Sequence, residues 1–391
     1  MSSDATGAAG EAAPSSTSGT VSASTSRLKS IDVFRGATIA AMILVNGQYS
    51  HEASYRPFAH AAWHGWTFAD TIFPCFLFIV GVSLTLSTAG RIARGDAPAR
   101  LVAHAARRAL MLFACGVVID YLRVPSAGFP FIGVQDHLQL SGVLQKISVC
   151  YLLAFLIYIG LGLRGVIAAS VGLNVLYLGL LFLFPVPGCG AGSLAAACNF
   201  PGYLDQIVLD GFRWNSTAFD PDGLGTVLPA TTSVLLGALA GQFLRSSGRR
   251  REAQAFWLAA GGVALIAAGA LFAAWVPINK QLWTPPYAVM MAGFAATGLA
   301  AALRLADGDG GPRQWLRPLE ILGQNAIAAY LISRVVANMP RVHLRGWSLH
   351  DDLLAEIASP ATASLLFAAL VLAIVFVAIW LMDRRRWHLK L

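Results

Sequence analysis

The sequence predicts an all-α fold: a polytopic integral membrane bundle of about ten transmembrane helices with both termini in the cytoplasm. Three observations carry that prediction. The 391 residues are 56% hydrophobic and only 12% charged, where a soluble globular chain carries roughly 25% charged residues. Stretches of the ~20 apolar residues that cross a bilayer recur along the chain. The connections between those stretches alternate between Arg-rich and Arg-poor.

Residues 1–26 are mostly Ser, Thr, Ala and Gly with one Asp and one Glu. They lack the apolar core of a secretory signal and are expected to form a disordered cytoplasmic tail. That leaves 27–391 as one transmembrane domain whose first helix directs insertion. Apolar segments fall near 30–50, 67–90, 101–122, 138–161, 165–185, 224–244, 254–276, 283–305, 317–339 and 361–383. The first carries Asp32 and Arg35 one turn apart, the spacing of a local ion pair. The second opens on Thr67-Phe68-Ala69-Asp70, the form of a capping box, and its Pro74 should kink the helix and free the carbonyl of Asp70. The fourth holds Lys146, read as lying well away from either helix end, where it could pair with Asp32 or meet a phosphate. The ninth holds Gln324 and Asn325, as polar packing or as pocket lining.

One set of connections carries the clusters Arg91, Arg94 and Arg100, then Arg245, Arg249, Arg250 and Arg251, and finally Arg384, Arg385 and Arg386. The other carries single charges such as Arg56, Arg123, Arg213 and Lys280. The positive-inside rule places the first set in the cytoplasm. The net charge of +8 therefore reports topology; no basic stripe interleaved with aromatics points to nucleic acid. Cys75, Cys115 and Cys150 lie in apolar segments as packing residues. Cys189 and Cys198 share a long outer loop of about 186–223, where an oxidising face permits a disulfide.

The chemistry is expected in the stretch from His60 to Asp70. It sets two imidazoles, two indoles and a carboxylate between two apolar segments, and ionisable groups at the mouth of a membrane protein are costly to keep without a use. His60 is either a base or nucleophile near neutral pH or an interfacial residue that anchors a helix end. His64 could orient a substrate. Trp63 and Trp66 are interface-belt residues or stacking surfaces for a sugar. Asp70 caps its helix and, compatibly, could orient His60. Asn46 lies ~21 Å along the first helix from Asp32, in the outer half near His60. Its amide could hold a thioester oxygen or make an interhelical hydrogen bond. Arg35, Lys146 and Arg317 are the candidate cations for cofactor phosphates. No metal is expected: His60 and His64 are four apart, but Gly65 adjoins them and no Cys or Glu set lies near. The chain also lacks a Walker A motif, a dinucleotide glycine fingerprint, HExxH and Gly-x-Ser-x-Gly.

Several motifs together resemble one family. They are Arg27-Leu28-Lys29-Ser30-Ile31-Asp32-Val33-Phe34-Arg35-Gly36, Ile43-Leu44-Val45-Asn46, His60-Ala61-Ala62-Trp63 and Thr67-x-x-Asp70-x-x-Phe73-Pro74. Weaker matches are Gly142-Val143-Leu144-Gln145-Lys146, Phe219-Asp220-Pro221-Asp222-Gly223-Leu224 and Leu322-Gly323-Gln324-Asn325-Ala326. The sequence is similar to the heparan-alpha-glucosaminide N-acetyltransferase family. That resemblance implies a multi-helix membrane acyltransferase that takes the acetyl group of cytosolic acetyl-CoA to an amino sugar or glycan on the far side. It maps the active histidine onto His60 and the active-site asparagine onto Asn46. Lys146 falls where relatives often carry Arg, which keeps the charge without the bidentate geometry. Lysosomal relatives carry an extra N-terminal lumenal domain, so a bacterial-type member is expected here, in an inner membrane, with the histidine near the periplasmic side. Its partners would be acyl-CoA, the acceptor glycan and the lipid bilayer, with a homodimer as the alternative to a monomer. Direct transfer and a transient acetyl-histidine both remain open. The rival readings are a transporter or flippase of a lipid-linked sugar, disfavoured by the scarcity of Asp and Glu within the spans, and a membrane scaffold without catalysis.

Overall fold

In the computed structural model, the residues described are 28–48, 54–123, 133–134, 138–212, 219–310, 313–337 and 358–389. The expected tail at 1–26 lies outside them. The helices are α1 (Lys29–Asn46), α2 (Phe68–Ala93), α3 (Pro98–Tyr121), α4 (Val143–Leu183), α5 (Phe200–Val208), α6 (Val227–Ser246), α7 (Arg251–Phe272), α8 (Pro285–Ala306), α9 (Arg317–Gln324), α10 (Ala326–Val336) and α11 (Pro360–Arg384). Among the described residues the one strand ladder is short and antiparallel, Leu122–Arg123 with Gly133–Val134, beside isolated bridges such as Gly65 with Asn279. Among the described residues seven helices are long and apolar enough to cross a membrane, so the chain has the build of a polytopic helical membrane protein.

The departures from ten separate long segments have local causes. The fourth and fifth expected segments form the single element α4, of 41 residues. Run straight it would reach ~61 Å, twice the ~30 Å of a bilayer core. Gly162, at φ +63° and ψ −167°, breaks it, because a residue without Cβ adopts this backbone at little cost. Lys146, near the start of α4, donates to Thr226, and Tyr177, near its end, donates to the carbonyl of Leu282. Thr226 and Leu282 precede α6 and α8, so the two halves of α4 fold back into an antiparallel hairpin.

The fourth segment also begins later than expected. Ser141 donates to Asp220 and Gly142 is extended, so the helix starts at Val143. Lys146 therefore stands in the first turn and not in mid-span. The ninth segment divides at Asn325, whose φ of −117° and ψ of 34° leave the helical region, giving elements of 8 and 11 residues.

Contacts sort the bundle into two ends. At one lie the C-terminus of α1 and the N-termini of α2, α4, α6, α8 and α11; Tyr55 there meets Thr362. At the other, Asp307 after α8 accepts from the amides of Lys29 and Ser30, and Arg317 pairs with Asp383. The central helix α2 has buried residues around much of its circumference and touches α1, α4, α6 and α8. Cys189 and Cys198 form a disulfide; Cys75 and Cys150 are buried free thiols.

Candidate active site

The site begins at the start of α2. The Thr67-x-x-Asp70 spacing caps the helix: Asp70 Oδ2 accepts from the Thr67 amide at 3.0 Å, satisfying one of the orphan donors of a helix N-terminus. Asp70 is fully buried. The same oxygen also accepts from the Ala61 amide at 3.1 Å, which ties the preceding loop to the helix. The other oxygen, Oδ1, lies 2.7 Å from His60 Nδ1. Only an Nδ1–H can satisfy a carboxylate at that distance, so the Nε2 lone pair is the one left to act. His60 is about one-third exposed at its side chain, against none for Asp70. Pro74 takes away the donor that would bond the Asp70 carbonyl. The hydroxyl of Tyr287 supplies that bond from α8, at 2.6 Å.

A second loop, between α7 and α8, completes the cluster. The Gly65 amide donates to the Ile278 carbonyl at 2.8 Å, and His64 meets Asn279 at 3.3 Å. This pairing sets Lys280 Nζ 3.3 Å from Asp70 Oδ1 and 3.0 Å from His60 Nδ1. Burial pushes the Lys280 pKa down, against the opposing pull of Asp70 and Asp222. Trp283, three residues on, is buried with φ +49°, a strained conformation for a bulky residue. Phe73 and Tyr287 meet it edge-on, with ring centroids 5.4 Å away in each case.

Lys146 closes the far wall. Its Nζ donates to Thr226 Oγ1 at 2.6 Å and to the Pro221 carbonyl at 3.1 Å, and sits 4.7 Å from the Trp283 ring centroid, within cation–π range. Lys146 thus belongs to the His60 end of the bundle, while Asp32 pairs with Arg35 at 3.2 Å.

The other expected site residues are dispersed. Arg35 also donates to Ser83 and to the Gly323 carbonyl, so it knits α1 to α2 and α9. Arg317, half-exposed, pairs with Glu320 and Asp383 at the opposite end. Asn46 is the exposed last residue of α1, and no hydrogen bond joins it to His60 or Asp70. Trp63 donates to the Leu194 carbonyl at 2.9 Å and stands edge-on to Phe219, anchoring the disulfide loop over the site. Trp66 packs on Phe294 and borders an apolar groove of about 700 Å³ that runs along the bundle flank toward Phe34. Asn325 meets His388 at 3.3 Å, far from this end. Among the described residues no group of three or more His, Cys, Asp or Glu could hold a metal.

Sequence reasoning missed Lys280, Asn279 and Tyr287. Lys280 was visible only as an isolated cation on the poorly charged side. Its partner is more than two hundred residues away, and nothing local announces the pairing.

Beneath the site, Asp205 on α5 is fully buried. One of its oxygens accepts from the Gly225 amide at 2.8 Å, and the other makes no hydrogen bond among the described residues. Burial, with Asp220 acting in the same direction, raises its pKa from 3.8 to about 6. A carboxyl raised on folding favours the protonated folded state. Its stabilising contribution is complete below the unfolded value and disappears as pH rises through about 6, an effect of about 3 kcal/mol at ~1.4 kcal/mol per unit. The Asp205→Asn variant is therefore expected to gain thermal stability relative to wild type as pH rises from about 4 to 7. Parallel melting curves across that range would contradict this assignment.

The fold and the cluster together define a polytopic helical membrane protein with a His–Asp–Lys site at one end of its bundle. A family model described as "Heparan-alpha-glucosaminide N-acetyltransferase, catalytic" matches residues 27–272, and the chain belongs to that family. It is 28% identical over 383 residues to heparan-alpha-glucosaminide N-acetyltransferase of Homo sapiens, covering 83% of this chain and 55% of that protein. It is 27% identical over 386 residues to the protein of the same name from Mus musculus, covering 84% and 56%. The chain spans about half the length of these relatives.

Proposed function

We propose that this chain is a membrane-embedded acetyltransferase that carries the acetyl group of cytosolic acetyl-CoA to an amino sugar or glycan on the opposite face. The observation that carries the reading is the His60–Asp70 pair, in which a buried carboxylate leaves Nε2 as the reactive nitrogen at the site surface. In the direct route His60 accepts a proton from the acceptor amine as the nitrogen attacks the thioester carbon. The carbon–sulfur bond breaks, and the imidazolium returns the proton to the CoA thiolate. In the two-step route Nε2 attacks the thioester carbon, the carbon–sulfur bond breaks and CoA leaves as thiolate. The acceptor amine then attacks the acetyl carbon, the carbon–Nε2 bond breaks, and the proton lost by the amine balances the thiolate released in the first step.

The Lys146 ammonium at this end would favour the developing oxyanion. Asn46, at the same end, would reach the thioester oxygen once donor is bound. The 3′-phosphate and diphosphate of CoA would be met toward the opposite end by Arg35 and Arg317. In this reading the α4 hairpin crosses twice, and α1 and the broken α9–α10 segment cross once each. That makes about ten crossings with both termini cytoplasmic and His60 at the periplasmic side of an inner membrane.

The test is purified protein in proteoliposomes enclosing glucosamine, with labelled acetyl-CoA outside. Labelled N-acetylglucosamine accumulating inside supports the reading. Passage of a lipid-linked sugar with neither acetyl-CoA binding nor transfer would replace it with the flippase.

A further inference from the structure

The carboxylates at the site end differ in what occupies them. Asp70 is saturated by His60, Ala61, Thr67 and Lys280. Asp220 accepts from Ser141 and from the Asp222 amide, and Asp120 from Gln145, with Arg334 at 3.7 Å. Asp205 is sealed beneath Gly223 and Gly225. Asp222 is different: it is half-buried, and its carboxylate makes no hydrogen bond and no ion pair with any described residue.

Its backbone, in contrast, is held on each side. The Pro221 carbonyl accepts from Lys146 at 3.1 Å, the Asp222 amide donates to Asp220 Oδ1 at 2.9 Å, and the Gly223 amide donates to the Asp220 carbonyl at 3.2 Å. The same loop presents Phe219 to Trp63, three residues from His60. The charged groups close enough to act on the Asp222 carboxylate include Lys146, Asp220, Lys280 and Arg334, and Asp120 interacts with it as well. Lys280 is the residue that also contacts His60 and Asp70. A carboxylate held by its backbone, with no hydrogen bond or ion pair among the described residues, therefore stands within electrostatic reach of the lysine that touches the candidate catalytic pair.

We infer that Asp222 is the acceptor-binding residue, the carboxylate that receives the ammonium of the incoming amino sugar and takes its first proton. This rests on the acetyltransferase reading. An aliphatic amine with a pKa near ~8 arrives largely protonated, and an ammonium cannot attack a thioester. Two protons must leave nitrogen for each amide formed. Asp222 takes one to water, and His60 takes the other as the carbon–nitrogen bond forms and delivers it to the departing sulfur. Free amine and neutral carboxylic acid are the products of the first transfer; amide and CoA thiol are the products of the second. Burial raises the Asp222 pKa, against the pull of Lys146, which makes the carboxylate a stronger base. Its charge also offsets Lys146 and Lys280, which would otherwise repel a cationic acceptor.

The experiment compares wild type, Asp222→Asn and Asp222→Glu for glucosamine KM and kcat, acetyl-CoA affinity and thermal stability. Asp222→Asn is expected to raise the glucosamine KM about tenfold, equivalent to ~1.4 kcal/mol, with acetyl-CoA affinity and melting temperature unchanged. The KM increase should shrink at pH values where the amine is already neutral, and Asp222→Glu should recover most of the affinity. An unchanged glucosamine KM in Asp222→Asn overturns the inference. So does a parallel fall in acetyl-CoA affinity and melting temperature, the mark of a mere counter-charge to Lys146. Wild-type protein that binds acetyl-CoA yet acetylates no amine overturns the acetyltransferase reading and this inference with it, and that failure is visible without any variant.

Discussion

Asp70→Asn is expected to reduce acetyl transfer about 10³- to 10⁴-fold, the scale seen when the aspartate behind a catalytic histidine becomes an amide. The cause is the tautomer. An asparagine can still accept from the Thr67 and Ala61 amides through its oxygen, which leaves its NH₂ facing His60 Nδ1. The imidazole then accepts at Nδ1 and carries its hydrogen on Nε2, so the nitrogen that should act as base or nucleophile has no lone pair to use. His60→Ala removes the ring altogether and should be at least as damaging. The structural cost is smaller: the charge at the N-terminus of α2 is lost, worth about 1 kcal/mol, and Lys280 loses its anionic partner. The measurement is kcat with acetyl-CoA and glucosamine, alongside a melting curve. A value of kcat within about tenfold of wild type would remove His60 and Asp70 from the mechanism.

Gly36→Ala is expected to prevent proper assembly of the bundle. At this point α1 crosses α9 backbone against backbone. A Cβ on Gly36 would lie 1.8 Å from the Leu319 carbonyl oxygen, and one on Gly323 would lie 1.8 Å from the Asp32 carbonyl oxygen. Both obstacles are main chain, so no side chain can turn aside, and the helices must separate. Such close approach between small residues is how membrane helices gain packing energy. Separation would also stretch the bond from Arg35 to the Gly323 carbonyl, now 3.3 Å. The expected loss is about 3 kcal/mol or more, at the upper end for an overpacked core. It should be seen as a sharp fall in monodisperse protein after detergent extraction and in the melting temperature of what remains. Gly36→Ala protein that melts with wild type would show that this crossing is not tight.

Much of this protein is local and was legible without coordinates. The helical membrane class follows from composition, because a bilayer admits few other ways to bury a backbone. The capping box at Thr67–Asp70, the Asp32–Arg35 pair and the carbonyl freed by Pro74 are all interactions within about four residues, and each stands where the spacing put it. The family was legible for the same reason: its motifs are short and contiguous.

What the sequence could not decide is what comes together from afar. Spacing alone predicts Lys146 within a span, yet the helix begins at Val143 because Ser141 is drawn to Asp220, and a mid-membrane cation becomes a first-turn residue of the site. Arg35 and Arg317 share a charge type with Lys146 but stand toward the other end. Lys280 reaches Asp70 only because two loops, at Gly65 and Ile278, pair across the mouth of the bundle. Sequence by itself thus determined the class, the family and the His60–Asp70 neighbourhood, since helix periodicity and capping act over a few residues. Tertiary structure alone decided which lysine stands against Asp70 and which carboxylate makes no hydrogen bond or ion pair with a described residue. Those contacts depend on helices and loops separated by as many as 220 residues, and their register is set by packing.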